Sequence, residues 1–187
     1  IGPKVGDELK EDALLAVLIA LALVLIYISI RFQWRFGISA VVCLLHDVLA
    51  VVGVFSLFDK EFNLTIIAAL LTVVGYSLND TIVVFDRVRE NLAKFRKRET
   101  EDLLDLSINE TLSRTLLTSA TTLFVVTMLL LFGGEIIHDF AFALFVGILV
   151  GTYSSIYVAS PIFLLLQEKA PPKPATPSTT ELTQESQ

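Results

Sequence analysis

A chain of 187 residues that is 54% hydrophobic, with a mean hydropathy of +0.72, is too apolar for an ordinary soluble domain of its size and reads as an integral membrane protein. The formal charge of −6 informs little as a total; its distribution among the connections between apolar runs carries the topology. The lone cysteine, Cys43, lies in an apolar run and excludes an intrachain disulfide, and without Cys/His metal spacing, a phosphate-binding glycine loop or a nucleophile elbow, no metal, organic cofactor or covalent catalysis is expected.

Crossing roughly 30 Å of hydrocarbon takes about 20 helical residues, and five apolar runs are long enough. They are continuous rather than alternating, which favours helices over a barrel. The expected fold class is therefore an all-α membrane protein with five transmembrane helices. Residues 1–12 are polar, with Asp7, Glu8, Glu11 and Asp12, unlike the basic start of a signal peptide. The chain begins at Ile1, so an excerpt lacking its upstream part is expected.

The first span is expected at 13–30, closed by Arg31 and Arg35 with Trp34 and Phe36 at the interface. The second, 37–58, carries His46 and Asp47 near its middle, and Asp59-Lys60-Glu61 leads into the third, 62–85. A polar connection, 87–114, follows. Its first half holds Arg87, Arg89, Lys94, Arg96, Lys97 and Arg98 against Glu90 alone, marking the cytoplasmic side. Its second half spaces Leu104, Ile108 and Leu112 four apart, the pattern of an amphipathic helix along the interface. The fourth span is 115–132, the loop 133–139 returns the chain, and the fifth span is 140–166. The Pro- and Thr-rich segment 167–187 is expected to be a disordered cytoplasmic tail. Basic residues fall in alternate connections, which puts the N-terminus outside and the C-terminus in the cytoplasm.

Asp80 is the residue on which a functional reading rests. A charged Asp in a spanning helix costs roughly 2.5 to 3.5 kcal/mol even on the lenient insertion scale, which makes it a functional candidate that needs a partner. The partner expected is Arg114, at similar depth at the start of the fourth span. Burial favours the neutral form of a carboxylate and a nearby guanidinium favours the charged form, so an acid that approaches and leaves an arginine binds and releases a proton as geometry changes. Tyr76, Ser77 and Asn79 near Asp80, and Thr118 one turn beyond Arg114, are expected as polar supports. His46 and Asp47 form a secondary candidate, although adjacent residues point to different helix faces. Gly147 and Gly151 form a GxxxG that lets another helix approach, within this chain or in another subunit.

The run from Gly75 to Asn91, Gly-Tyr-Ser-Leu-Asn-Asp-Thr-Ile-Val-Val-Phe-Asp-Arg-Val-Arg-Glu-Asn, resembles the signature of the SecF family, including the SecF half of fused SecDF, within the RND superfamily. Gly2 to Gly6, Arg31 to Arg35, His46-Asp47 and Gly151 to Pro161 extend the likeness. The resemblance implies six-helix halves, of which this chain carries the second to sixth helices and lacks the first helix and the periplasmic domain. It implies a non-enzymatic subunit of the Sec machinery that uses proton movement, with Asp80 and Arg114 implicated, to drive late steps of protein export. The implied partners are SecD, the SecYEG channel, SecA indirectly, YajC, unfolded preprotein and membrane lipids, with no nucleic acid, and protons are the coupling ion. The implied place is the bacterial cytoplasmic (inner) membrane. The rival readings are an RND-type exporter of lipids or small molecules, and a structural subunit whose charges only hold helices together.

Overall fold

In the computed structural model the described residues are 15, 18–20, 22–28, 30, 34–60, 63–95 and 98–168. Long apolar sequence with few breakers gives long helices, and each end is set by a local signal. Helix α1, Trp34–Leu57, ends before the polar turn at Asp59 and Lys60. Helix α2, Leu64–Lys94, is capped by Asn63, whose side chain accepts the Ile66 N–H at 3.1 Å. Helix α3, Thr100–Phe132, contains neither Gly nor Pro and opens with Glu101 and Asp102, which complement the positive end of its dipole. Gly133 ends α3 with its N–H on the Leu129 carbonyl at 2.8 Å, and Gly134, at φ +73°, supplies the left-handed backbone that starts α4, Gly134–Tyr157.

α1 to α4 are each long and apolar enough to cross a membrane, and no strand occurs among the described residues. The molecule is an all-α membrane protein. Of the expected span 13–30, residues 15, 18–20, 22–28 and 30 are described, and they carry the apolar helical stretch Leu18–Ile28. The expected segments 1–12 and, from 169 on, 167–187 also lie outside them.

Three elements differ from expectation. The loop expected at 133–139 shrinks to the turn at Gly133, because the left-handed backbone of Gly134 lets α4 start at once. The segment 99–114 is not a separate helix on the interface but the first half of α3, because nothing between Thr100 and Phe132 interrupts the hydrogen-bond ladder. At 31 and 33 residues, α2 and α3 are about 46 and 50 Å long and outrun the hydrocarbon as a helical hairpin. The last span is broken at Val158, after which α5, Ala159–Glu168, continues. Pro161 has no N–H with which to close the i to i−4 bond on the Tyr157 carbonyl, so the ladder cannot run through.

α2 and α4 make the most extensive helix pair, and Gly147 and Gly151 explain it. A Cβ on Gly147 collides with the Val73 side chain, and one on Gly151 lies 3.1 Å from Ser77 Cβ. The small-residue face is thus used inside this chain. The core forms two apolar blocks. One gathers Phe36, Leu44, Leu78, Phe85, Leu104 and Phe163; the other gathers Val51, Phe55, Ile66, Val73, Val126 and Ile148. Each long helix adds buried polar residues to a layer near where the blocks meet: Asp47 on α1, Ser77 and Asp80 on α2, Thr115 and Ser119 on α3, Ser154 and Ser155 on α4; others, among them Ser39, Asn91 and Ser107, lie outside it.

Candidate functional site

The polar layer holds two carboxylates on different sides of α2. Asp80 is 5% exposed, and its Oδ2 is buried without a hydrogen-bond partner. Thr115 stands beside it, and its own hydroxyl is also buried without a hydrogen-bond partner. No ion pair within 4 Å joins Asp80 to Arg114, whose side chain is exposed. The expected pair is therefore adjacent but open.

Asp47 is the more enclosed acid, at 0% exposure. Ser77 donates its hydroxyl to Asp47 Oδ2, and His46 Nδ1 lies 3.0 Å from Asp47 Oδ1. The expectation that neighbours in sequence point apart fails here, because the 43% exposed His46 ring reaches its neighbour's carboxylate. Thr81 donates to the Ser77 carbonyl at 3.0 Å, and Cys43 Sγ to Ser154 Oγ at 3.3 Å, closing the layer between α1, α2 and α4.

The expected supports divide. Tyr76 reaches the layer: its hydroxyl donates to Ser119 at 3.3 Å, and Ser119 shares a 2.7 Å bond with Thr152. Ser77 supports Asp47 rather than Asp80. Asn79 and Thr118 are exposed and do not reach Asp80. On α3 the inward face is one residue, about 100° of rotation, from the one expected. Ser107, Thr111, Thr115 and Ser119 point inward; Arg114 and Thr118 do not. The signal was a hydroxyl at every fourth position from Ser107 to Ser119.

A second polar cluster, missed from sequence, clamps the α2–α3 hairpin beyond the apolar belt. Asn91, 2% exposed, donates to Ser107 Oγ and Glu110 Oε2, both at 2.9 Å. Arg87 bonds Glu110 and Glu90, each at 2.6 Å. Arg87 first, then Asn91, holds the Glu110 carboxyl below the usual glutamate range. At the opposite end of the bundle Lys60 pairs with Asp139 at 2.6 Å, which lowers the Asp139 carboxyl likewise.

The bundle and its polar layer define a polytopic helical membrane protein with carboxylates buried between its helices, the class in which intramembrane ionisable groups mark function. Residues 1–169 match the family described as protein export membrane protein SecD/SecF, C-terminal, and the chain belongs to that family. It is 61% identical over 166 residues to the protein translocase subunit SecF of Vibrio alginolyticus, covering 89% of this chain and 53% of the relative. It is 52% identical over 160 residues to the protein translocase subunit SecDF of Thermus thermophilus, covering 86% of this chain and 22% of the relative. The crystal structure of SecDF from that organism, described as a translocon-associated membrane protein, superposes with a TM-score of 0.88 at 50% identity, over 90% of this chain and 24% of the other. The chain thus spans about half the length of the SecF relatives it matches.

Proposed function

We propose that this chain is the SecF-type membrane portion of a Sec export complex, in which Asp80 takes up and releases protons against Arg114 and so drives late steps of preprotein translocation. The observation that carries this reading is the open geometry: a buried carboxylate with an unbonded oxygen beside Thr115, and the preceding residue on α3, Arg114, in no ion pair with it. A proton can exchange at such an acid without first breaking a buried salt bridge, whose desolvated partners are costly to separate. Each proton crossing the membrane supplies about 2.3 kcal/mol per 100 mV, enough to bias a two-state arrangement of helices.

SecD is the proposed immediate partner, with SecYEG, SecA and YajC in the wider assembly and unfolded preprotein as its cargo. Support comes from the surface beside Asp80, where Thr72, Gly75 and Asn79 of α2 and Arg114 and Thr118 of α3 stand exposed on spanning helices. Polar groups at membrane depth belong against protein or water rather than lipid tails. The proposed location is the bacterial inner membrane with the α1 start, the α2–α3 hairpin tip and the C-terminus in the cytoplasm. Arg35, Arg87, Arg89, Lys94 and Arg98 gather at that end, and Lys60 is the basic residue at the other among the described residues.

Asp80→Asn nearly preserves shape while removing the titratable proton. Expressed with its SecD partner, this variant is expected to reach the membrane at normal levels and to lose the part of preprotein export that an uncoupler abolishes in the parent. Export that stays uncoupler-sensitive at the parental rate overturns the proton role and returns Asp80 to a structural one. Transport of a defined small molecule by the intact complex would favour the exporter reading.

A further inference from the structure

We propose that the recess between the first turns of α3 and the α4–α5 break is a binding site for the primary ammonium headgroup of a phospholipid, phosphatidylethanolamine being the simplest. The recess has a volume of about 320 Å³ and is lined by Glu101, Leu104, Asp105 and Ile108 of α3 and, across it, by Ile156, Tyr157, Ser160, Pro161 and Leu164. Glu101 and Asp105 stand four apart on one face of α3, and neither is in an ion pair with a described residue.

Acidic side chains alone do not make a site, and here an independent polar group stands in the wall. Ser160 is 3% exposed, and its hydroxyl is buried without a hydrogen-bond partner. An orphaned hydroxyl in a largely apolar interior is costly unless something bonds it. Beside it, Pro161 deprives the Tyr157 carbonyl of its helical donor. The polar side chains of the lining, two carboxylates and a hydroxyl, are predominantly acceptors and call for a ligand rich in N–H donors. The rest of the wall, Leu104, Ile108, Ile156 and Leu164, calls for hydrocarbon. A primary amine tethered to acyl chains meets both demands. A quaternary ammonium has no N–H to donate, and an anionic headgroup meets like charge.

The surroundings favour a lipid over a partner's lysine. Tyr157 and Tyr153 stack at 4.9 Å on the outer face and are both exposed, as is Leu165 beyond the break. Tyrosines in this position mark the headgroup level of a bilayer, so the recess opens where headgroups lie.

The test uses the full chain purified in neutral detergent with equimolar phosphatidylethanolamine, phosphatidylcholine and phosphatidylglycerol, read by native mass spectrometry. One phosphatidylethanolamine is expected to remain bound in preference to the other two. Glu101→Gln with Asp105→Asn, both on the surface and so compatible with folding, is expected to lower the ratio of bound phosphatidylethanolamine to phosphatidylcholine by roughly tenfold, the loss expected from removing charge-assisted bonds. Ser160→Ala is expected to lower it less, with the thermal unfolding midpoint not reduced. Equal retention of the three lipids, a preference for phosphatidylglycerol, or an unchanged preference in the double variant overturns the proposal. Retention of a lysine-containing peptide without phosphatidylethanolamine also overturns it and assigns the recess to a protein partner.

Discussion

Ser77 gives its hydroxyl to Asp47 and accepts Thr81 at its carbonyl, while its Cβ touches the space that Gly151 leaves open. One small side chain therefore joins α1, α2 and α4. Ser77→Ala keeps the Cβ packing and removes the donor, leaving a buried carboxylate oxygen unbonded at a cost of about 1 to 3 kcal/mol. A lower unfolding midpoint in detergent is expected, and His46→Ala should lower it less because His46 is partly exposed. An unchanged midpoint for Ser77→Ala would show that Asp47 does not depend on that hydrogen bond. Asp80 was legible in the sequence because a charge amid apolar residues stands out whatever the packing. The roles of Ser77, Thr115 and Asn79 were not. Periodicity groups residues onto a face but does not say which helix that face meets, and a shift of one residue on α3 exchanged Thr118 for Thr115 and Ser119.

Between helices, the clearest device is the clamp on the α2–α3 hairpin, where Arg87, Asn91, Ser107 and Glu110 fasten two helices beyond the apolar belt. The Glu110 carboxyl is lowered from its ordinary 4.5, chiefly by Arg87. A lowered acid stabilises fully above its ordinary value, and the contribution is lost as pH falls through the lower, folded-state value. Hydrogen exchange over 87–110, corrected for intrinsic rates, should therefore rise as the pH is brought below about 4.5. Glu110→Gln should show faster exchange already at neutral pH, with little further change on acidification. Exchange in the parent that ignores pH would remove the ion pair from the account of hairpin rigidity. Hydropathy announced the membrane spans but not this clamp, since Asn91 and Ser107 look like ordinary polar surface residues until two helices face each other. The continuity of α3 was legible in principle from its lack of Gly and Pro, but the switch from polar to apolar composition near 115 masked it.

For the molecule as a whole, the uneven covering of the spanning helices is the feature with a consequence for assembly. α3 is the least enclosed of the four, and its exposed face continues onto α2 through Thr72, Gly75 and Asn79. With Cys43 replaced by Ala, Asn79→Cys is expected to react with a membrane-permeant thiol reagent in the chain alone and to be protected when the proposed partner, SecD, is co-expressed. Equal labelling in both states would move the partner to another face. The break at Val158 has a mechanical consequence of its own. α5 stacks Phe163 on Phe36 at 4.2 Å, and Arg35 donates to Gln167 at 2.7 Å, so it is fastened to the start of α1 more than to the helix that precedes it. Tension applied to the chain beyond Glu168 thus reaches α1 through these contacts, in parallel with the backbone route into α4.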